Sequence, residues 1–464
     1  MASFGSLNIA YTGLLAHQKR INVIGENIAN VNTPGYHRQR VELSPIDNIS
    51  RGFVSGVTRV SGGVEVDDVA RIRDEVLVDH ARAQSANQAA ASMAANTLAQ
   101  LEVAVGGLEP GGLHDQMAAL FNSFDDLANA PEDPATRQVV LQQAENVARG
   151  FSRTATAMDR VREQTDASAR QSVAEINRLT QSIADIDTEI LGALTVDSDP
   201  NTLLDQRDAM IDRLSELAAV QVVERSNGQV TLALDGHLLV SNGQADTISV
   251  EYQSEPTLAA LGYSDFVVVT PEGRELSIRG GKLSADLTAM RDTIPDGRID
   301  LENTAIDLAD QINAIHRAGA GLDGSTGNDL LVAGPGPGQL QVSADVAGQP
   351  EKVAAAALGA GELDNSTARA LGQLADSSTG PMNNFVETVA TLAARVSTLN
   401  SAAEAATVAS TQADNLALAA SGVSLDEELT DLITAQRSYE ASARLMTTID
   451  EMMQTLMSTG LVGR

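Results

Sequence analysis

Apolar residues recur along the first segment of the chain with helical spacing. Leu7, Leu14, Ile21 and Ile28 lie seven apart, and Ala10, His17, Ile24 and Val31 follow each of them by three. That is a 3-4 stripe along one helix face. Asn30-Val31-Asn32-Thr33-Pro34-Gly35-Tyr36 then stops the helix. Asparagine tolerates the left-handed cap, Pro34 pushes Thr33 out of the helical region, and Pro-Gly suits the centre of a type II turn. From Tyr36 to about Val69 the pattern predicts short strands and turns, Val57 to Val60 and Val64 to Val69 among them.

Helix is predicted again from about Asp74 to Val105 and, after a glycine-rich hinge at Gly106 to Gly112, over Leu113 to Asn129. Asp133-Pro134 reads as N-cap and first helical residue. It opens a run with no strong breaker to about Leu194, on which Val140, Ala144, Val147 and Phe151, and later Ile176, Leu179, Ile183, Ile186 and Ile190, mark an apolar face. About 60 residues at 1.5 Å each make a rod of roughly 90 Å, which cannot bury its stripe without partners. A further helix is predicted over Leu203 to Ala218. The period then switches to two at Val220 to Val223, Val230 to Leu234, Leu238 to Val240, Ile248 to Tyr252 and Phe266 to Thr270. Asn227-Gly228, Asp235-Gly236 and Asn242-Gly243 between them are hairpin signals. Helix resumes over Leu283 to Arg317, followed by glycine-rich Ala318 to Ser343 with Gly334-Pro335-Gly336-Pro337-Gly338 as a loop tip.

Phe385, Val389, Leu392, Val396, Leu399 and Ala403 mark a long helix, and Ser424 with Glu427 suggests a capping box. Leu425, Leu429, Leu432, Gln436, Tyr439, Ala443, Met446 and Met453 then trace a heptad seam. The charges of the two ends differ. Lys19, Arg20, Arg38 and Arg40 outnumber Glu26 at the start, whereas Asp426, Glu427, Glu428, Asp431, Glu440, Asp450 and Glu451 outnumber Arg437, Arg444 and Arg464 at the end. Opposite sign and matching stripes predict that Leu7, Leu14, Ile21 and Ile28 pack against Leu425, Leu429, Leu432, Tyr439, Met446 and Met453, ordering fully on assembly with neighbouring copies.

The expected fold is therefore mainly α with β insertions. Residues 1–50 and 421–464 make paired terminal coiled-coil helices. Residues 51–218, 282–318 and 376–420 make a long-helix bundle with short strands. Residues 219–281 and 319–375 make a smaller outer antiparallel β (α+β) unit.

Composition narrows the chemistry. A net charge of −31 over 464 residues argues against nucleic acid and anionic membrane as partners. Cysteine is absent, so disulfides, thiolate metal sites and cysteine nucleophiles are excluded. No apolar run is long enough to span a bilayer, and the opening Met1-Ala2-Ser3-Phe4-Gly5-Ser6 lacks the features of a Sec-type signal. His17, His37, His80, His114, His237 and His316 form no H-E-x-x-H motif or H-x₃-H pair. Asp323 to Asp329 resembles a calcium loop only loosely, since Gly334 stands where the bidentate glutamate belongs. No catalytic, cofactor or metal residue is predicted, and no enzyme.

Ile24-Gly25-Glu26-Asn27-Ile28-Ala29-Asn30-Val31-Asn32-Thr33-Pro34-Gly35-Tyr36 resembles the N-terminal signature of the flagellar rod, hook and hook-associated axial family, carried by Asn27, Asn30, Thr33, Pro34, Gly35 and Tyr36. Leu127 to Arg137, Leu203-Leu204-Asp205-Gln206-Arg207-Asp208, Gly280-Gly281-Lys282-Leu283, Asn313 to His316, Leu363-Asp364-Asn365 to Leu371 and Ser421 to Glu428 resemble the hook–filament junction branch of that family. The resemblance departs at Gly334 to Gln339, which runs directly into Leu340 where relatives often carry an extra outer β domain, and at Leu330-Leu331, where a phenylalanine pair is expected. It implies a structural adaptor that self-associates into a ring between hook and filament. Its implied partners are the hook protein, a second junction protein, an export chaperone on the C-terminal heptads and the flagellar type III export apparatus, and its implied place is outside the cell. Another rod or hook subunit, or a secreted adhesin or enzyme on an axial scaffold, are the alternatives.

Overall fold

The computed structural model describes residues 2–48, 60–106, 110–196 and 198–461. Helix α1 (Ala2–Asn30) ends at the Pro34-Gly35 turn, where Gly35 takes a φ of 77° and Tyr36 N–H donates to the Thr33 carbonyl, as a type II turn requires. The chain continues into an antiparallel ribbon of β1 (Gln39–Asn48) and β2 (Val60–Arg71). Of the strand expected at Val57 to Val60, residues 57–59 lie outside the described residues, as do 107–109 of the expected hinge.

Three helices follow: α2 (Glu75–Val105), α3 (Leu113–Asn129) and α4 (Pro134–Thr195). Asp133 caps α4 by accepting from Ala135 N–H at 2.8 Å, and the helix runs unbroken for 62 residues. Gly150 inside it lies so close to α3 that a Cβ there would press on Gln116 and Leu113. Helix α5 (Asn201–Leu217) leads into a four-stranded antiparallel sheet ordered β3 (Gln221–Glu224), β4 (Val230–Leu234), β5 (His237–Ser241) and β6 (Gln244–Ala245). Both of its tight turns carry positive φ at two successive residues, Asp235 and Gly236, then Asn242 and Gly243. That is the type I′ geometry their sequences signal. A second hairpin pairs β7 (Ser249–Gln253) with β8 (Asp265–Val269), connected through α6 (Pro256–Ala260).

The helix expected over Leu283 to Arg317 is α7 (Gly281–Thr288) and α8 (Ile294–Ala318), joined by a π-turn at Ala289–Thr293. Pro295 has no N–H and its ring crowds the preceding turn, so the helix widens just before it. Short strands β9 (Gly319–Ala320), β10 (Leu331–Ala333), β11 (Leu340–Val342) and β12 (Ala356–Ala357) and helix α9 (Ser366–Gly372) complete the glycine-rich region. The Gly-Pro repeat turns between β10 and β11. Two long helices, α10 (Pro381–Ser421) and α11 (Leu425–Leu461), end the fold.

Helix α4 carries two buried apolar clusters in succession. Its first half (Val140, Phe151, Met158) packs with α2, α3, α8 and α10 and with Leu330, Leu331, Leu340, Val353 and Leu371. Its second half (Ile176, Ile183) packs with Ile211 and Leu214 of α5, the sheet residues Leu232 and Val240, and Leu283 of α7. The stretches 219–281 and 319–375, expected together as one outer unit, therefore join different cores. A stripe this long needs cover at both ends, and each burial of a Leu or Ile contributes ~1.5–3 kcal/mol, so the sheet covers one end and the glycine-rich hairpins the other. Glycine is required at the join. Gly281 (φ 73°) lies so close to the Leu217–Ala218 backbone that any Cβ would clash.

Candidate assembly interface

Helices α1 and α11 pack along each other, and α1 also beds on the β1–β2 ribbon. The seam is not built from the largest residues. On α1 the buried positions are Ala10, Ala16, Val23, Ile24 and Asn27, while Leu7, Leu14, Ile21 and Ile28 are half-buried. On α11 Glu428, Ala435 and Ile449 are buried, and with half-buried Ser442 they repeat every seven residues. Leu432, Tyr439, Met446 and Met453 are half-buried. Leu425 and Leu429, expected in the seam, stand 46% and 48% exposed. The helices leave little room between them there: a Cβ on Gly13 would already be in contact with Ser442 Oγ at 3.4 Å. Apolar residues left facing outward include Ile9, Tyr11 and Leu15 on α1 and Leu425, Leu429, Ile433, Leu445 and Met452 on α11.

At one end of the seam Asn27 organises a buried polar lock. Its Nδ2 donates to the Gln39 carbonyl (2.9 Å) and to Glu428 Oε2 (3.0 Å). Its Oδ1 accepts from Gln39 N–H (3.0 Å) and the Tyr36 hydroxyl (2.9 Å). Every hydrogen-bonding atom of the amide is thus used, which is what burying it requires. Glu428, 1% exposed, also accepts from Arg38 Nε at 2.6 Å. Arg38 reaches Glu427 (2.8 Å) as well, so that carboxylate serves the neighbouring segment in place of the expected capping box. Arg20 donates to Asp431 at 3.1 Å. Burial, followed by the carboxylates of Glu26, Asp205 and Glu428, pushes the Tyr36 hydroxyl up to about 12. Asn30 closes α1 by donating to the Glu26 carbonyl (3.0 Å) and accepting from Thr33 Oγ1 (3.1 Å); Thr33, Pro34 and Gly35 are exposed on the turn.

A second polar cluster joins this terminal unit to the helical body. Asp205 on α5 meets His37 Nδ1 and Arg71 Nη1, each at 2.8 Å, and Arg71 also reaches Asp208 at 2.9 Å. Arg73 and Arg82 lie 3.6 and 3.5 Å from Asp208. Burial alone would raise the Asp208 carboxyl, but Arg73, Arg71 and Arg82 together hold it below its ordinary value. His37, Asp205 and Asp208 gather donor atoms as a metal site would, and the Arg71 guanidinium already supplies the positive charge between the two carboxylates. Arg207, 1% exposed, pairs with buried Asp187 (3.1 Å) and the Gly228 carbonyl (2.6 Å), fastening the first hairpin to α4.

The remaining sequence motifs are pins of the same kind. Arg137 holds the Pro131 carbonyl (2.6 Å) and the Val353 carbonyl. Asn365 donates to the Ala128 carbonyl (2.7 Å). Asn313 brackets the backbone of Leu330 and Leu331. Glu428 escaped the sequence reading because it stands among surface acids; its heptad spacing from Ala435 and Ile449 was the available signal.

The comparisons match this anatomy. The profile of the flagellar hook-associated protein FlgK helical domain matches residues 98–331, half of the chain. Profiles of the flagella basal body rod protein and of the flagellar basal body rod FlgEFG protein C-terminal region match residues 7–37 and 416–459. Flagellar hook-associated protein 1 of Bacillus subtilis is 25% identical over 509 residues, the whole of both chains. That of Salmonella typhimurium is 26% identical over 332 residues, 71% of this chain and 59% of the relative. The flagellar hook junction protein FlgK from Burkholderia pseudomallei aligns with 55% of this chain and 47% of its own at a TM-score of 0.49 and 26% identity.

Paired end helices bearing rod-protein signatures, around a long-helix body, define a flagellar axial protein. The chain belongs to the FlgK family of flagellar hook-associated proteins, and is a structural component of the flagellum. Among the described residues no helix is long and apolar enough to cross a membrane.

Proposed function

We propose that copies of this chain form the ring between hook and filament, with α1–α11 pairs on the inside and the helical body outside. One side of the ring meets the hook protein and the other a second junction protein. The chain travels to this position through the flagellar type III export apparatus, with a chaperone holding the α11 heptads beforehand, and works outside the cell without enzymatic chemistry. The observation that carries the reading is the terminal pair itself: a polar lock at Asn27–Glu428 fixes it, yet both helices leave large apolar residues in solvent. Such faces mark surfaces that other chains cover. A rod or hook subunit would share these ends, but the helical-domain match over 98–331 favours the junction.

Deleting the gene tests the reading. Cells with hooks but no filaments, shedding flagellin into the medium, are expected, with the tagged chain recovered at the distal end of isolated hooks. Normal filaments in the deletion strain would overturn it.

A further inference from the structure

We infer that the outward face of α10 between Ala405 and Ala420 is a lateral seat for a second copy of this chain. Val408, Leu416 and Leu418 are 68%, 48% and 62% exposed there. Helical spacing sets Val408 at the centre of the face, with Leu416 on one flank and Leu418 on the other at the rim of the cleft that α10 forms with α2 and α5, opposite the buried Ser410, Ala413 and Ser421. Charge says what covers the face. The protein carries a net −31, so two copies repel wherever their acidic surfaces meet. From residue 405 to residue 425 the chain has one charged residue, Asp414, and it turns aside into the cleft lined by Asp212 and Glu216 of α5. Beyond exposed Glu404 at its N-terminal edge, the face is therefore a neutral, partly apolar strip on an acidic molecule, where a like-charged copy can approach at lower cost than elsewhere. The chain also runs on from the strip, through Gly422 to Ser424, into the turns of α11 that expose Leu425, Leu429 and Ile433. The seat thus extends the terminal assembly surface onto the body. A ring closes by head-to-tail contact, so the strip meets a different patch of its neighbour.

This assignment rests on the ring reading. The absence of native cysteine allows a clean test in the full chain, using Val408→Cys and, as control, Glu272→Cys on the exposed turn after β8. Each thiol is alkylated with a maleimide in soluble protein and in isolated hooks with filaments. Val408→Cys should react about tenfold or more slowly once assembled, because thiol reactivity follows access, while the control reacts alike in both. Equal reactivity of Val408→Cys in both states would overturn the seat and leave the ring standing. Failure to recover the control chain from isolated hooks would overturn both. As a second variant, Val408→Asp should leave the melting temperature unmoved yet prevent incorporation; normal incorporation would also overturn the seat.

Discussion

Asn27 and Glu428 are 401 positions apart in the chain and share a 3.0 Å hydrogen bond. Through Tyr36, Gln39 and Arg38 that bond ties the end of the first helix to the beginning of the last. Removing the amide leaves a buried carboxylate with one partner fewer, a loss of about 1–3 kcal/mol. The pairing can be read covalently. Gly13→Cys with Ser442→Cys places two thiols where a Cβ and an Oγ would be 3.4 Å apart, a separation that a disulfide accommodates. The bridge should form readily in the otherwise native chain and in much lower yield with Asn27→Ala. Equal yields by non-reducing electrophoresis would mean that the lock does not hold the helices together.

Position on α11 decides what a charge does there. Leu429 is 48% exposed and Ala435 is fully buried in the seam. Leu429→Asp should change stability by no more than about 0.5 kcal/mol, as surface substitutions do, yet abolish incorporation into hooks. Ala435→Asp places an unpaired charge between α1 and α11, costing several kcal/mol of their docking. Hydrogen exchange on the terminal helices should register the second variant and not the first, while motility is lost in both.

Regular local chemistry was legible in the sequence, and closeness between distant segments was not. Asp133-Pro134 and the lack of a breaker announce α4, and Asp235-Gly236 and Asn242-Gly243 announce the hairpin turns, because cap and turn preferences act within a few residues. The terminal seam was legible as a pairing but not in its residues. Leu425 and Leu429 carry more apolar surface than Ala435 and Ser442, and only the close approach of two backbones explains why the small residues lie inside. Asp205, Arg207, Asn313 and Asn365 bind groups far away in sequence or backbone on neighbouring elements, so their pattern marks them by resemblance while leaving their partners unstated. The separation of 219–281 from 319–375 likewise depends on which half of α4 each one covers.

His316 makes the glycine-rich region sensitive to acid. It is 1% exposed; its Nε2 accepts from Ala354 N–H at 2.9 Å, so Nδ1 must carry the proton shared with the Asn328 carbonyl at 2.8 Å. Burial holds its pKa below the ordinary 6.5, outweighing the pull of the Asn328 carbonyl. The unfolded chain therefore takes up a proton near 6.5 that the folded chain refuses, and stability falls as the pH drops below that point. In an Asp286→Asn background, which removes a buried acid that titrates with the opposite sign in the same window, the melting temperature should be level from pH 8 to 7 and decline from 6.5 to 5. His316→Gln keeps a donor and an acceptor without a titrating group, so it should start lower at pH 7.5 and decline less over the same window. An unchanged slope in that variant would assign the acid sensitivity to other groups.

Asp286 carries the opposite sign. It lies wholly buried on α7, with Oδ2 accepting from Ser168 Oγ at 2.7 Å and Oδ1 unpartnered among the described residues. Burial raises its pKa from 3.8 to about 6, against the pull of Ser168 and Lys282. A folded pKa above the unfolded one means that the neutral acid is the form the fold prefers. Its favourable contribution is complete below 3.8 and is lost as the pH climbs through 6. At neutral pH the carboxylate is thus a liability of about 1–3 kcal/mol. Asp286→Asn, which keeps an acceptor for Ser168 and is neutral at every pH, should raise the melting temperature at pH 7.5. The advantage should shrink toward pH 4, where the native side chain is itself protonated. A gain independent of pH would point to packing, and a loss at pH 7.5 would show that the charge is held by an interaction stronger than those around Ser168 and Lys282.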